Sequence, residues 1–288
     1  MKNILVTGSN GQLGNEIRVL SSNYPDLNFW FTDVAELDIC DLDAIRDYVA
    51  DKPLYAIINC AAYTAVDKAE SDRVLCEAIN AQAPANLGVV ATEKGAKMIQ
   101  VSTDYVYSGT ACKPYTESDP VAPVSVYGIT KLEGEKRLLA VCENSVILRT
   151  SWLYSSFGNN FVKTMIRLGN ERPQLGVIFD QVGTPTYARD LADVILKLIM
   201  APEFVIGIYN YSNEGVCSWY DFARKIHELA GIATCEVKPI ETADYPTPAQ
   251  RPHYSVMNKK KLKNRFGIAI PHWEESLREC MVQLASIH

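Results

Sequence analysis

The sequence predicts an α/β fold, a doubly wound parallel sheet followed by a smaller, partly helical C-terminal lobe. Three observations predict it. Apolar runs of strand length alternate with helical patterns through the first half of the 288 residues. Three glycines, Gly8, Gly11 and Gly14, sit where the first strand gives way to the first helix. After about residue 150 the alternation loosens.

The elements follow in order. "NILVTG" (3–8) reads as a strand and residues 11–20 as a helix. "NFWFTD" (28–33) is the second strand. "DLDAIRDYVA" (41–50) is a helix with Asp41 as its cap. "YAIINCAA" (55–62) is almost wholly apolar, as strands buried on both faces are. A long helix is expected over 72–94, broken or kinked at Pro84. Strand 96–107, helix 126–141 and strand 145–154 complete the alternation, and right-handed crossovers make the sheet parallel. Beyond it, helices are expected at 159–170, 189–200 and 218–230, with strands near 175–179 and 207–212. "ETADYPTPAQRPHYS" (241–255) is too irregular and proline-rich for a core element, and two short helices close the chain. The division expected is a dinucleotide-binding domain over 1–150, to which later segments return, and a mainly substrate-binding lobe over 151–288.

Composition narrows the function. Hydrophobic residues make up 48% of the chain, enough for a large core. A formal net charge of -6 argues against nucleic acid or an anionic membrane surface as a partner. Eight scattered cysteines without a C-x-x-C pair suit buried thiols in a reducing compartment. No apolar run approaches membrane-spanning length, and "MKNILVTG" is too short for a leader. The expectation is a cytoplasmic protein, monomeric or homodimeric, acting on a small molecule.

The glycine turn permits a tight bend and a close approach by phosphates, with helix N–H groups turned toward an anion. Asp33 ends the second strand, where a carboxylate can accept from adenosine ribose hydroxyls. Strand, glycine turn, helix, strand and acid in this order read as a Rossmann-like dinucleotide site. Its contacts belong at the carboxyl ends of the strands, beside "NCAAYT" (59–64) and "STDYVY" (102–107).

Tyr127 and Lys131 lie four apart in "YGITK", on one face of a helix. A phenol titrating near 10 is a poor acid at neutral pH, and an ammonium beside it favours the phenolate. Lys131 can also reach ribose hydroxyls. Thr103 ends the preceding strand, where its hydroxyl can meet a substrate oxygen. Together the three can bind a carbonyl, protonate it and hold a nicotinamide.

At this point the chain resembles a family. "NCAAYTAVDKAES", "VSTDYVYSG", "SVYGITKLEGE" and "RTSWLYSSFGNNFVKTM" are similar to segments of extended short-chain dehydrogenase/reductases. "AVDKAE", "RTSWLY", "GNNF" and "PTPAQRP" narrow the resemblance to the dTDP-4-dehydrorhamnose reductase family. It implies NADH- or NADPH-dependent reduction of the C4 keto group of a dTDP-linked sugar, toward dTDP-L-rhamnose. Gly8, Gly11, Gln12 and Leu13 would meet the pyrophosphate. Asp33, Asp38 and Ile39 would flank the adenosine, and Ala61, Ala62 and Tyr63 the nicotinamide side. Tyr127 would give the proton, Lys131 support it and Thr103 polarise the carbonyl. Asp104, Trp152, Asn160 and Arg251 would contact substrate, Trp152 against the sugar, with Asn160 and Arg251 toward the diphosphate.

Some members of the family dimerise through magnesium held by acidic residues. Glu16 suits the first such position, but Arg189 stands at the next, with Asp190 beside it, so no metal site is expected. Asp33, with no arginine in "DVAELDICDL", favours NADH over NADPH. Two other readings compete. One is a sugar-nucleotide epimerase or dehydratase, which would need acid/base groups beyond Asp104 in "TDYVY". The other is a non-catalytic subunit resembling the regulatory subunit of methionine adenosyltransferase. Intact Thr103, Tyr127 and Lys131 argue for an enzyme.

Overall fold

The computed structural model describes residues 1–286. The chain begins with β1 (Lys2–Thr7), α1 (Gln12–Leu20), β2 (Leu27–Thr32), α2 (Leu42–Tyr48) and β3 (Ala56–Asn59). Two short helices, α3 (Val66–Ala69) and α4 (Arg73–Glu77), lead through a π turn at Ala78–Gln82 into α5 (Ala83–Glu93). Then come β4 (Lys97–Thr103), α6 (Val126–Val141), β5 (Ser145–Thr150) and β6 (Leu153–Tyr154). The second half adds α7 (Phe161–Glu171), β7 (Gln174–Ile178), β8 (Val182–Gly183), β9 (Thr186–Tyr187), α8 (Ala188–Met200) and β10 (Gly207–Asn210). It ends with β11 (Cys217–Ser218), α9 (Trp219–Leu229), β12 (Glu236–Ile240), α10 (Lys260–Phe266) and α11 (Trp273–Ser286).

Six parallel strands form one sheet in the order β10-β5-β4-β3-β1-β2. The order reverses beside β1, and the glycine turn leaves the sheet there. Alternate residues of each strand enter opposite cores. Ile4, Val6, Ile58 and Leu148 pack with the α8 residues Leu191 and Ile195. Leu5, Ile57, Met98 and Ile147 pack with Leu87, Val90 and Leu138 of α5 and α6. Burial on both faces explains the continuous apolar runs of these strands. β10 and α8 come from the second half of the sequence yet complete this sheet and its cover. A separate core of Tyr154, Val162, Phe222, Trp273 and Leu277 gathers α7, α9 and α11 with the parallel pair β7 and β12.

The structure departs from the sequence expectation in five places. Pro84 does not break a helix. It comes just after the π turn, whose wider bonds, such as Ala83 N–H to the Ala78 carbonyl, make room for the ring so that the helix continues. β3 stops at Asn59 because that side chain takes the Ala61 N–H, and the backbone turns away. β4 stops at Thr103, whose hydroxyl accepts the Tyr105 N–H and starts a 3-10 turn. β12 is a strand despite Pro239, and its membership of a two-stranded sheet leaves the proline an outer edge. The last helix, α11, is 14 residues long rather than short.

Candidate active site

Gly8 has φ of 65°, and a Cβ there would lie 2.5 Å from the Ala61 nitrogen. A Cβ on Gly14 would lie 2.4 Å from the Ser9 Cα. Both positions need glycine so that α1 can start hard against the ends of β1 and β3. The N–H groups of Gln12, Leu13 and Gly14, in the first turn of α1, have no partners within the helix. The Leu13 side chain is buried in the core, so only its main chain can face a ligand.

A groove of about 670 Å³ opens in front of this turn. Gly8, Gly11, Asp33, Asp38, Ile39, Ala61 and Ala62 all line it. Asp33 accepts the Asn10 N–H at 3.0 Å and the Val34 N–H at 2.8 Å, one on each oxygen. The carboxylate is thereby fixed at the rim with lone pairs to spare. Among the described residues that line this part of the groove none is lysine or arginine.

At the inner end of the groove the strand tips are joined by buried hydrogen bonds. The Thr7 hydroxyl donates to Asn59 Oδ1 at 2.7 Å. Asn59 Nδ2 donates to Gln100 Oε1 at 2.7 Å, and Gln100 Nε2 to the Val101 carbonyl at 2.8 Å. Lys131 Nζ reaches the same carbonyl at 2.7 Å. Tyr63 is held by Asn80 of the π turn, which takes its N–H at 2.9 Å and gives to its carbonyl at 3.1 Å. Tyr63 and Tyr127 pack on one small cluster of Ala69, Cys76 and Val126.

Tyr127 and Lys131 stand in the first turns of α6, capped by the Ser125 hydroxyl and by Glu70, which accepts the Val126 N–H at 2.8 Å. Burial pushes the Tyr127 phenol above its ordinary range, with the Thr103 hydroxyl acting the other way. Burial also brings the Lys131 ammonium down to about 8, against the pull of Glu135. The ammonium gives one of its three N–H donors to Val101, and burial rather than the Lys131 charge sets the range of the phenol here. Thr103 donates to Asp104 Oδ1 at 3.0 Å, and burial raises the Asp104 carboxyl to about 7.

Two segments of the second half meet this centre. Trp152 adopts φ of 49°, in the left-handed region, and its ring stacks on Trp219 with centroids 3.6 Å apart. A Cβ on Gly183 would come within 2.7 Å of that ring and 2.5 Å of the Ser255 hydroxyl, which faces Asp104. Arg251 pairs with Asp67 at 2.7 Å and donates to the Tyr105 hydroxyl at 3.3 Å. Asn160 caps α7 and donates to Gln12 Oε1 at 3.0 Å, so these two expected ligand contacts meet each other across the groove's lobe side.

Sequence reasoning missed Asp67 and Glu70, although both lie in the "AVDKAE" motif. One holds the loop that carries Arg251 and the other caps the helix that carries Tyr127. It also missed the Arg149–Glu135 pair, which is 3% and 2% exposed and ties α6 to β5.

Glu16 is buried, its carboxyl receives the Ser155 hydroxyl at 2.5 Å, and burial favours its neutral form. Asp190 is taken up by Asn213 and Ser276, each at 2.6 Å. Among the described residues no three His, Cys, Asp or Glu side chains gather as a cation site.

Comparison with known proteins decides the family. The family model described as "RmlD substrate binding domain" matches residues 1–286. The chain is 40% identical over 295 residues to a dTDP-4-dehydrorhamnose reductase of Escherichia coli (strain K12), covering 98% of each. The chain belongs to the dTDP-4-dehydrorhamnose reductase family. A crystal structure of a family member from Clostridium acetobutylicum superposes with a TM-score of 0.94 at 46% identity, covering 98% of this chain and 99% of that one. Another, from Bacillus anthracis in complex with NADP, gives 0.93 at 39% identity, covering 98% and 100%. No helix among the described residues is long and apolar enough to cross a membrane.

Proposed function

We propose that this chain reduces the C4 keto group of dTDP-4-dehydro-6-deoxy-L-mannose with NADH or NADPH, giving dTDP-L-rhamnose. The cofactor supplies the hydride when bound. Gly8, Gly11 and the free N–H groups of α1 would hold the pyrophosphate. Asp33, Asp38 and Ile39 would take the adenosine, and Ala61, Ala62 and Tyr63 the nicotinamide end. Tyr127 protonates the C4 oxygen, Thr103 polarises it, and Lys131 fixes the ribose. Trp152 and Asp104 face the sugar. Arg251 takes the diphosphate by exchanging its Asp67 carboxylate for a phosphate. Asp33 gives a preference for NADH, since an NADPH phosphate would face an anion where none of the described residues lining the groove is lysine or arginine.

The observation that supports this reading is that the Tyr127 phenol meets the Thr103 hydroxyl, with Lys131 buried one helical turn further along α6 and acting on Cys60 of the groove wall. The test is Tyr127→Phe, assayed by loss of reduced-nicotinamide absorbance with the keto-sugar nucleotide. We expect kcat to fall by about 10²–10⁴-fold with cofactor affinity unchanged. A near-wild-type rate would overturn the assignment.

A further inference from the structure

Asp104 is the residue of this site whose burial asks for a use. It is 3% exposed. Its Oδ1 receives the Thr103 hydroxyl at 3.0 Å; its Oδ2 is buried with no close hydrogen-bond partner, although the Ser255 hydroxyl and the backbone N–H groups of Asp104 and Tyr105 are turned toward the carboxyl. Buried carboxylates are ordinarily paired or multiply hydrogen-bonded. The groups facing this one are Tyr127 from α6, Tyr105 from its own turn and Ser255 from the chain segment beside β8. Arg251 touches Tyr105, with its charge already matched by Asp67. Lys131 is directed to Val101. Nothing cationic contacts the Asp104 carboxyl among the described residues, so burial keeps it an acid up to about pH 7.

Each turnover leaves Tyr127 short of a proton, and the phenolate is as poorly hydrated as the carboxylate. We propose that Asp104 is the proton reservoir of this site, returning a proton to Tyr127 through the Thr103 hydroxyl. The inference rests on the reading of Tyr127 as proton donor. The steps balance. The phenolic O–H breaks as Tyr127 gives its proton to the substrate oxygen. The Thr103 O–H breaks toward the phenolate, and the Asp104 O–H breaks toward Thr103. No electrons move beyond those of the hydride. Asp104 is left as a carboxylate and regains its proton from water once product leaves. With the carboxyl protonated, the 3.0 Å contact runs from Asp104 to Thr103, the direction the transfer needs.

The test is Asp104→Asn, which keeps size and hydrogen bonding but carries no acidic proton. Steady-state kcat and KM are measured from about pH 5.5 to about pH 9, with single-turnover hydride transfer by rapid mixing. We expect steady-state kcat at the acid end to fall by about tenfold or more, and its decline through neutral pH to vanish. The first turnover, measured at saturating substrate, should fall by less than the steady-state rate, whatever the change in KM that follows from Asp104 also facing the sugar. An unchanged kcat profile would overturn the relay. So would an effect confined to KM, which would make Asp104 a ligand of a sugar hydroxyl. If the Asn variant does not fold, the wild-type enzyme carries the test through kcat in mixtures of H2O and D2O. A curved dependence supports more than one proton in flight, and a straight line overturns it. Tyr127→Phe run alongside separates the two failures: a normal rate there removes the proton donor itself, whereas its loss with a normal Asp104→Asn profile removes only the reservoir.

Discussion

Arg149→Met should destabilise the protein more than any single surface change. Arg149 and Glu135 are 3% and 2% exposed, and they meet in a two-pronged contact, Nη2 to Oε2 at 2.6 Å and Nε to Oε1 at 3.0 Å. A third donor, Nη1, reaches the Tyr107 hydroxyl at 3.0 Å. Methionine fills most of the volume but leaves the Glu135 carboxylate dry and without its hydrogen-bonded partner, facing only the charge of Lys131 one turn away. Breaking such a pair from one side costs about 3–5 kcal/mol. Removing both charges returns most of that, because the desolvation of two ions is removed together with their attraction. The double variant Arg149→Met, Glu135→Met should therefore be more stable than the single one. The assay is urea unfolding followed by circular dichroism, with thermal melts alongside. At about 2–4 °C per kcal/mol for a chain of this order of size, the single variant should melt roughly 10 °C lower. The reasoning is refuted if the single variant lies within about 1 kcal/mol of wild type, or if the double variant is no better than the single.

Three further outcomes follow from the geometry. Gly8→Ala should lose more stability than Gly95→Ala and should bind cofactor weakly: both glycines have positive φ, costing about 1–2 kcal/mol for alanine, but only Gly8 also meets backbone at 2.5 Å; equal losses in denaturant would refute the close-approach argument. Asp33→Ser should narrow or invert the NADH-to-NADPH ratio of kcat/KM, since unit charges 4 Å apart at an effective dielectric of 20 repel by about 4 kcal/mol, of which solvent leaves roughly 1–2, or about tenfold; steady-state kinetics with both cofactors checks it, and a fixed ratio counts against Asp33 facing the ribose. Lys131→Met should lower turnover and cofactor affinity while changing how stability depends on pH. Folding brings the Lys131 pKa from 10.5 down to about 8, so its burden on wild type is complete below about 8 and lifts as pH rises toward 10.5. The variant's stability relative to wild type should therefore fall across that window, and a constant difference between unfolding curves would refute the shift.

The alternating strands and helices were legible because burial on both faces writes itself as uninterrupted apolar runs, as in "AIIN". α6 was legible to its ends, Val126 and Val141, because Ser125 caps one. What escaped was held by partners distant in sequence. Nothing local to Glu16 announces Ser155, 139 residues away, and nothing near Asp67 announces Arg251. An arginine inside the otherwise apolar strand "SVILRT" was the available hint of Glu135, since such a charge must be matched if the strand is buried. The strand ends were misjudged for a related reason. Asn59 and Thr103 are compatible with a strand, and only their side-chain bonds to the following backbone N–H groups end it.

The hydrogen bonds from Thr7 through Asn59 and Gln100 to Val101 are neutral until they reach Lys131, and they are buried or partly buried. The pair that holds the Arg251 loop is of another kind, two full charges with 27% and 40% of their side-chain surfaces exposed. Dissolved salt therefore reaches one end of the site and not the other. At about 0.15 M the screening length is about 8 Å, and at 1 M about 3 Å, which weakens exposed pairs and leaves buried dipoles as they were. Raising the ionic strength should loosen the Arg251–Asp67 pair while the hydrogen bonds from Thr7 to Lys131 keep their shape. The two halves of one active site thus differ in the medium they can tolerate.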